Sequence, residues 1–357
     1  MIKENLVDSD ILNEIIEMDK KDFFPFNSIK SLSSHGILGM LIPKEYNGAE
    51  FSNIEYVQTL MEIASYSVTL GVILSVHNSV SAYPIYVYGT NEQKEKYLSK
   101  MASGEWIGSF ALTEPTSGSD ATNISTEYWE EGDYYIINGR KIWITNSSAS
   151  TIFLIFAKKK DELSYKNITS FIVEKSYKGF KIGNKENKMG LNGSESMEIM
   201  LDECRVPSNN ILGKENEGFK IAMEALNGGR MGIASISTGA IKGILDYIKN
   251  NVDTSTPGYE KILSDIVRWY ETSYEYIIAL AKKKDEGKNI AVEASIAKSY
   301  SSEKAFEASS LLLNLSPHDC GYFSFPGRMF RDTKVLSIVE GTNEIQDRVI
   351  SKRYFIK

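Results

Sequence analysis

The sequence predicts an α+β protein in three parts: an N-terminal α-helical domain over 1–109, a middle β domain over 110–212 and a C-terminal α-helical bundle over 213–357. Three observations carry this expectation. Apolar residues recur at helical spacing in the first and last thirds. Short β-rich runs separated by Gly and Asn crowd the middle. The order is helix, β, helix, without the alternating βαβ units of a parallel dinucleotide-binding sheet. Length agrees, since 357 residues favour two or three packed domains over one.

In the first third, Ile54, Val57, Leu60, Met61 and Ala64 fall close to a 3.6-residue period. A second apolar segment, Val68 to Val76, leads into Ser79–Tyr88. Thr90-Asn91-Glu92-Gln93 reads as an N-cap with an acidic first turn, opening a helix through Leu98 and Met101. In the middle, the β-rich run Tyr134–Asn138 meets a turn signal at Gly139, and Lys141–Thr145 alternates polar with apolar. Thr151–Phe156, Thr169–Val173 and Met197–Leu201 are apolar runs of strand length.

The last third carries three amphipathic stripes. Ile236, Ala240, Ile241, Ile244, Leu245 and Ile248 form one, Ile262 to Ile277 a second, and Ile296 to Leu315 a third. Such helices bury their stripes on one another, which implies a bundle. Pro257-Gly258 breaks the first from the second. Asn227-Gly228-Gly229-Arg230-Met231-Gly232 is glycine-rich but lacks the Gly-Lys-Ser/Thr ending of a phosphate loop, and reads as a helix break.

Bulk properties exclude several classes. Lys and Arg number 40 against 47 Asp and Glu, a net charge of −7. That acidic balance speaks against nucleic acid, which needs a basic face. The two cysteines, Cys204 and Cys320, form no CxxC pair and suit a reducing compartment. The histidines His35, His77 and His318 are far apart, so no metal site is expected. No basic, apolar leader opens the chain and no run of roughly 18 apolar residues occurs. A cytoplasmic protein with no membrane span is the default expectation.

Three motifs then stand in order: Ala111-Leu112-Thr113-Glu114-Pro115-Thr116-Ser117-Gly118-Ser119-Asp120, Lys141-Ile142-Trp143-Ile144-Thr145-Asn146, and Ile338-Val339-Glu340-Gly341-Thr342-Asn343-Glu344-Ile345-Gln346. Weaker echoes are Leu41–Gly48, Lys188–Leu191 and Cys204–Pro207. Each alone is weak. Together, over nearly the whole chain, they resemble the acyl-CoA dehydrogenase family, and Leu74–Ser79 is similar to its short-chain, butyryl-like branch.

The resemblance implies that family's fold, bound FAD, and flavin-dependent α,β-dehydrogenation of an acyl thioester. The chemistry requires a base for the α-proton, hydrogen bonds for charge developing on the thioester oxygen, and an electron acceptor that no side chain can be. By resemblance, Glu340 is the base and its own N–H a donor to the thioester oxygen. Trp143, Ile144 and Thr145 lie at the flavin ring. Phe110, Ala111, Leu112 and Thr113 supply backbone and hydroxyl contacts to the flavin, and Thr342, Asn343 and Glu344 add cofactor contacts. Ser119, Arg230 and Gly341 are placed on the substrate side, Ser119 also at the cofactor. A second family position for the base, immediately before Arg230, holds Gly229 here and carries no acid.

Other readings of these residues stay open. Glu340 could be a surface glutamate before a helix cap, Trp143 a core residue, and Arg230 a helix salt bridge. The segment 113–120 could be a loop closing a strand. At the level of function, the substrate could be an acyl group tethered to a carrier protein in a biosynthetic pathway, or the chain a non-redox partner of an active relative. The resemblance further implies an electron-transfer flavoprotein or similar acceptor and a homodimer or homotetramer. It fails in two places. An Arg, a Phe-Gly turn and a Gln that reach the adenine half of FAD across a subunit interface are replaced by Asn250–Gly258, and a Gln-x-x-Gly-Gly segment by Leu311–Pro317. The grip on the flavin ring is retained while the grip on its ADP tail is altered.

Overall fold

A computed structural model describes residues 6–161 and 167–355. The N-terminal part contains α1 (Ser9–Lys21), α2 (Phe26–Ser34), α3 (Asn53–Tyr66), α4 (Val68–Ser75), α5 (Tyr83–Tyr88) and α6 (Asn91–Ala102). Ser52 and Thr90 open α3 and α6 with reciprocal capping boxes to Glu55 and Gln93. A π-helical turn, Val76–Ala82, joins α4 to α5, so the second apolar segment is one rod. It is long and apolar enough to span a bilayer, yet 94% of its most apolar window is buried within the protein, the mark of a core helix. His77 on this rod has one ring nitrogen near Leu38 O and Met101 O (3.0 and 3.1 Å) and accepts from Gly108 N–H at 3.1 Å with the other. Burial pushes its imidazole down to about 4, so His77 is a neutral structural tie.

The middle part is a sheet of β1 (Ile107–Ala111), β2 (Glu127–Glu131), β3 (Tyr134–Ile144), β4 (Ser150–Lys159), β5 (Ile168–Glu174), β6 (Phe180–Lys185), β7 (Met197–Pro207) and β8 (Ile211–Leu212). The strand order is β6-β7-β3-β2-β4-β5-β8, with β1 pairing parallel to β4. The turn expected at Gly139 does not form. β3 runs straight through it, and the pairing with β7 slips between Ile137 and Gly139. A Cβ at Gly139 would stand 2.4 Å from Thr126 Oγ1. The glycine serves a close strand approach at a bulge, not a reversal.

The C-terminal part comprises α7 (Gly218–Asn251), α8 (Glu260–Asp285), α9 (Ala291–Leu315), α10 (Phe325–Leu336) and α11 (Asn343–Phe355). The glycine-rich segment expected to break a helix lies inside α7, which continues for 34 residues. Its glycines let neighbours touch the helix backbone. A Cβ at Gly232, Gly239 or Gly243 would meet Ser75 Oγ at 2.2 Å, Met61 O at 2.3 Å or Ser65 O at 2.1 Å. Each interior glycine costs about 1 kcal/mol of helix propensity, offset here by α3 and α4 packing directly on α7. A buried ion pair, Arg331 to Asp19 at 2.5 Å, joins α10 to α1, and Asp332 accepts from Leu191 N–H at 2.6 Å in the β part. All three parts thus meet at one charged clamp.

Candidate active site

The link between α10 and α11 carries two consecutive residues in the left-handed region, Glu340 (φ 56°) and Gly341 (φ 87°). A left-handed glutamate costs on the order of 1–2 kcal/mol, so the turn needs outside support. Gln346 Nε2 donates to Gly341 O at 2.8 Å. Lys298 Nζ, from α9, donates to Gly341 O and to Asn343 Oδ1, both at 2.9 Å. Asn343 Nδ2 in turn donates to Ser302 Oγ at 3.1 Å.

The turn lays the Glu340 side chain on α7 at Gly229. A Cβ there would stand 2.5 Å from Glu340 Oε2 and 2.7 Å from its Cδ. The space left by Gly229 is therefore the seat of this carboxylate. Oε2 is buried without a hydrogen-bond partner, and among the described residues the Glu340 N–H has no acceptor. Burial pushes the carboxyl up to about 7, against the opposing pull of Arg230 and Lys298. A surface glutamate before a cap would show none of this.

Arg230, the next residue on α7, is also buried. Its Nη1 donates to Asn227 Oδ1 at 2.9 Å and its Nε has no partner. Among the described residues no carboxylate lies at ion-pair distance from Arg230, so it makes no helix salt bridge.

On the β side, Ile142 N–H donates to Thr113 O at 3.0 Å, which sets the first two motifs side by side. Trp143 is 61% exposed and held at φ 57°. A strained, solvent-facing tryptophan is the opposite of a core residue, and it suits a planar ligand laid against it. Ala111, Leu112 and Ile144 turn their side chains into the core, leaving only their peptide groups for a cofactor. Phe110 packs on Phe156 at 4.9 Å. Thr113 and Thr145 are half-buried, and Thr145 O accepts from Ser109 Oγ at 2.6 Å. Asn146 Nδ2 donates to Ile73 O at 3.1 Å, pinning the end of β3 to the α4 rod that also packs on α7.

Ser119 is exposed and faces α11 across a cleft of about 540 Å³, lined also by Asp120, Ile345, Arg348 and Lys352. Thr342 and Glu344 stand at the start of α11. The Asn343 side chain is committed to Lys298, Ser302 and their neighbours on α9, and its N–H donates to Ser337 O at 3.0 Å, so neither is open to a ligand. Sequence reasoning missed Lys298 and Gln346. The one signal for Lys298 was a lone lysine set among Ala297, Ser299 and other small residues within an apolar stripe. These features fit FAD: an exposed aromatic face at Trp143, half-buried hydroxyls at Thr113 and Thr145, and cationic side chains opposite Ser119.

Comparison with known proteins agrees along the length of the chain. Residues 4–105, 109–204 and 216–355 match the N-terminal, middle and C-terminal domains of acyl-CoA dehydrogenase. An acyl-CoA dehydrogenase of Bacillus subtilis (strain 168) is 41% identical over 346 residues, covering 94% of this chain and 91% of the relative. The butyryl-CoA dehydrogenase of Megasphaera elsdenii superposes with a TM-score of 0.89 at 33% identity, covering 99% of this chain and 98% of the other. A chain in the structure of the electron transferring flavoprotein of Acidaminococcus fermentans gives a TM-score of 0.88 at 32% identity, covering 100% and 99%. With the helix–β–helix fold and the three ordered motifs, these matches establish that the chain belongs to the acyl-CoA dehydrogenase family.

Proposed function

We propose that the protein dehydrogenates a short-chain acyl-CoA at its α,β bond with Glu340 as the base. One observation carries this reading: a desolvated carboxylate, without a hydrogen-bond partner at Oε2, seated over Gly229 on α7. FAD, when bound, supplies the two-electron acceptor. Trp143, Thr145, Thr342, Glu344 and the peptide groups of Phe110 to Thr113 would hold it. The Glu340 carboxylate takes the α-proton as the Cα–H bond breaks, and the electron pair of that bond becomes the new double bond as hydride leaves the β-carbon. Loss of water raises the basicity of Glu340. Its free N–H is placed to donate to the thioester oxygen, where negative charge develops. Arg230 lends positive charge beside the base.

The likeness to a butyryl-CoA dehydrogenase supports a short acyl chain. So does the packing beside the site. Tyr56 is fully buried, donates to Ser75 Oγ at 3.4 Å and closes the space at Gly232. The test is single-turnover flavin reduction by butyryl-CoA. Glu340→Gln is nearly isosteric and should slow it by about 10²–10⁴ while FAD stays bound. Reduction within a few-fold of wild type would make another residue the base.

Two further expectations belong to this reading. Electrons leave to a separate flavoprotein or artificial acceptor, because the described residues form no dinucleotide-binding βαβ unit. Turnover sustained by NAD alone would overturn that. The segment between α7 and α8 carries no arginine, and one charge-assisted hydrogen bond contributes roughly 1.5–3 kcal/mol. FAD should therefore bind about 10- to 150-fold more weakly than with such a contact, in a dimer or a rearranged tetramer. FAD occupancy and molar mass measured together through a dilution series decide it. A tetramer keeping full FAD at nanomolar protein would refute it.

A further inference from the structure

Lys298 lies in the middle of α9 and is 0% exposed. Its ammonium donates to Gly341 O and Asn343 Oδ1 at 2.9 Å each. Those two acceptors bracket the left-handed turn that aims Glu340. Asn343 is held from its other side by Ser299 O, Ser302 Oγ and Glu303 Oε1, at 3.4, 3.1 and 3.3 Å. The turn is thus strapped to α9 by one lysine and one asparagine. A neutral donor could satisfy the same carbonyl without the desolvation that a buried ammonium suffers. A charge at this position has a further effect only if a second charge lies near enough to feel it. Glu340 does: Arg230 and Lys298 both draw its carboxyl down, while burial pushes the Lys298 ammonium down to about 7 against the pull of Glu340.

We propose that Lys298 is a positioning residue for the base, holding the Glu340–Gly341 turn in its strained conformation from α9 through Gly341 O and Asn343 Oδ1 and setting its positive charge near the Glu340 carboxylate. The inference rests on the reading of Glu340 as the base. Arg230 on α7, Lys298 on α9 and the Tyr56 hydroxyl on α3 interact with Glu340. Glu303 on α9 and Glu344 on α11 act on Lys298. Of the two cations at the base, Lys298 alone also holds the backbone of the turn, so its loss combines a geometric and an electrostatic change. A base displaced by about 1 Å can lose on the order of 10² in rate. Removing an opposite charge moves a carboxylate upward by about one unit or more.

The experiment uses the FAD-loaded enzyme and single-turnover reduction by butyryl-CoA as a function of pH, with Lys298→Met, Lys298→Gln and Lys298→Arg. Lys298→Met should reduce the rate near neutrality by about 10²-fold and move the midpoint of the rising limb to higher pH by about one unit or more. Lys298→Arg, which keeps the charge, should leave that midpoint near wild type even if its rate falls. An unmoved midpoint in both Met and Gln variants would overturn the proposal and leave Lys298 a strut. If Lys298→Met does not fold, the comparison of Gln with Arg still decides, because the two differ in charge while both donate to Gly341 O. Failure of the underlying reading shows separately: Glu340→Gln would then retain flavin reduction, whatever the Lys298 variants do.

Discussion

Two glutamates in this protein, one buried and one half-buried, have opposite fates, and the difference separates structure from chemistry. Glu114 lies in the β part with its side chain 0% exposed, and Lys141, equally buried, stands 2.7 Å away. Ser125 N–H, Ser125 Oγ and Thr126 N–H donate to its oxygens at 2.5, 2.6 and 3.0 Å. Lys141 closes the network on Leu112 O and Phe156 O. Burial alone would raise the Glu114 carboxyl, but Lys141, Ser125 and Thr126 hold it down to about 2. Glu340 is half-buried, but its Oε2 is shut off from solvent without a partner and burial pushes its carboxyl up to about 7. A carboxylate whose bonds are all satisfied has no reason to take a proton. One with an oxygen buried and unpaired does.

The sharpest way to break this comparison is to remove the charge from each in turn. Glu340→Gln should abolish proton abstraction, a loss of about 10²–10⁴ in rate, with little effect on the denaturation midpoint near pH 5. Glu114→Gln should do the reverse. It leaves a buried Lys141 without its counter-charge, a loss of about 3–5 kcal/mol, while the molecules that remain folded reduce flavin at near wild-type rate. Urea unfolding and single-turnover reduction on both variants test the assignment. Similar profiles for the two would dissolve the distinction.

Gly229 offers a finer cut. Gly229→Ala places a methyl 2.5 Å from Glu340 Oε2, so the carboxylate must move. Activity should fall by up to about 10²-fold. Stability should hold or rise, since alanine favours a helix interior by about 1 kcal/mol over glycine. Thermal midpoint and kcat/KM measured together check this. Unchanged kcat/KM would mean the carboxylate is free to sit elsewhere.

The smallest effect is thermodynamic. The folded-state pKa of Glu340 lies above its unfolded value of roughly 4.3, so the folded protein keeps an extra proton between that value and about 7. The stability from this site is complete below the window and is lost as pH rises through it. Glu114 behaves oppositely, contributing fully above the unfolded value and losing its contribution only as pH falls toward about 2. The stability of Glu340→Gln relative to wild type should therefore grow between pH 5 and 8, by at most about 3 kcal/mol. A flat difference would mean the carboxylate is solvated.

The sequence was most legible where its information is local. The helical stripes at Ile54–Ala64 and Ile236–Ile248 and the capping signal at Thr90 depend on neighbours a few residues apart, and they became α3, α7 and α6. The glycines misled for the same reason. Gly139 signals a turn and Gly228–Gly232 a helix break when only adjacent residues are considered. Their real constraints come from Thr126, Ser75 and the Glu340 side chain, and the last of these comes from a distant part of the chain. Lys298 was invisible as a site residue because its acceptors, Gly341 and Asn343, lie more than 40 positions away.

The sequence by itself determined the helix–β–helix class, the order of the three motifs and the residue types available for the chemistry. Periodicity selects which face of each element is buried, and composition sets which groups can ionise or donate. Only the tertiary structure decided which glutamate is neutralised by its surroundings and which is left reactive. Burial raises the energy of any charge, and the sign of the outcome depends on the partners that packing brings within hydrogen-bond reach. Those partners come from different helices and strands, at separations along the chain that leave no trace in its local pattern.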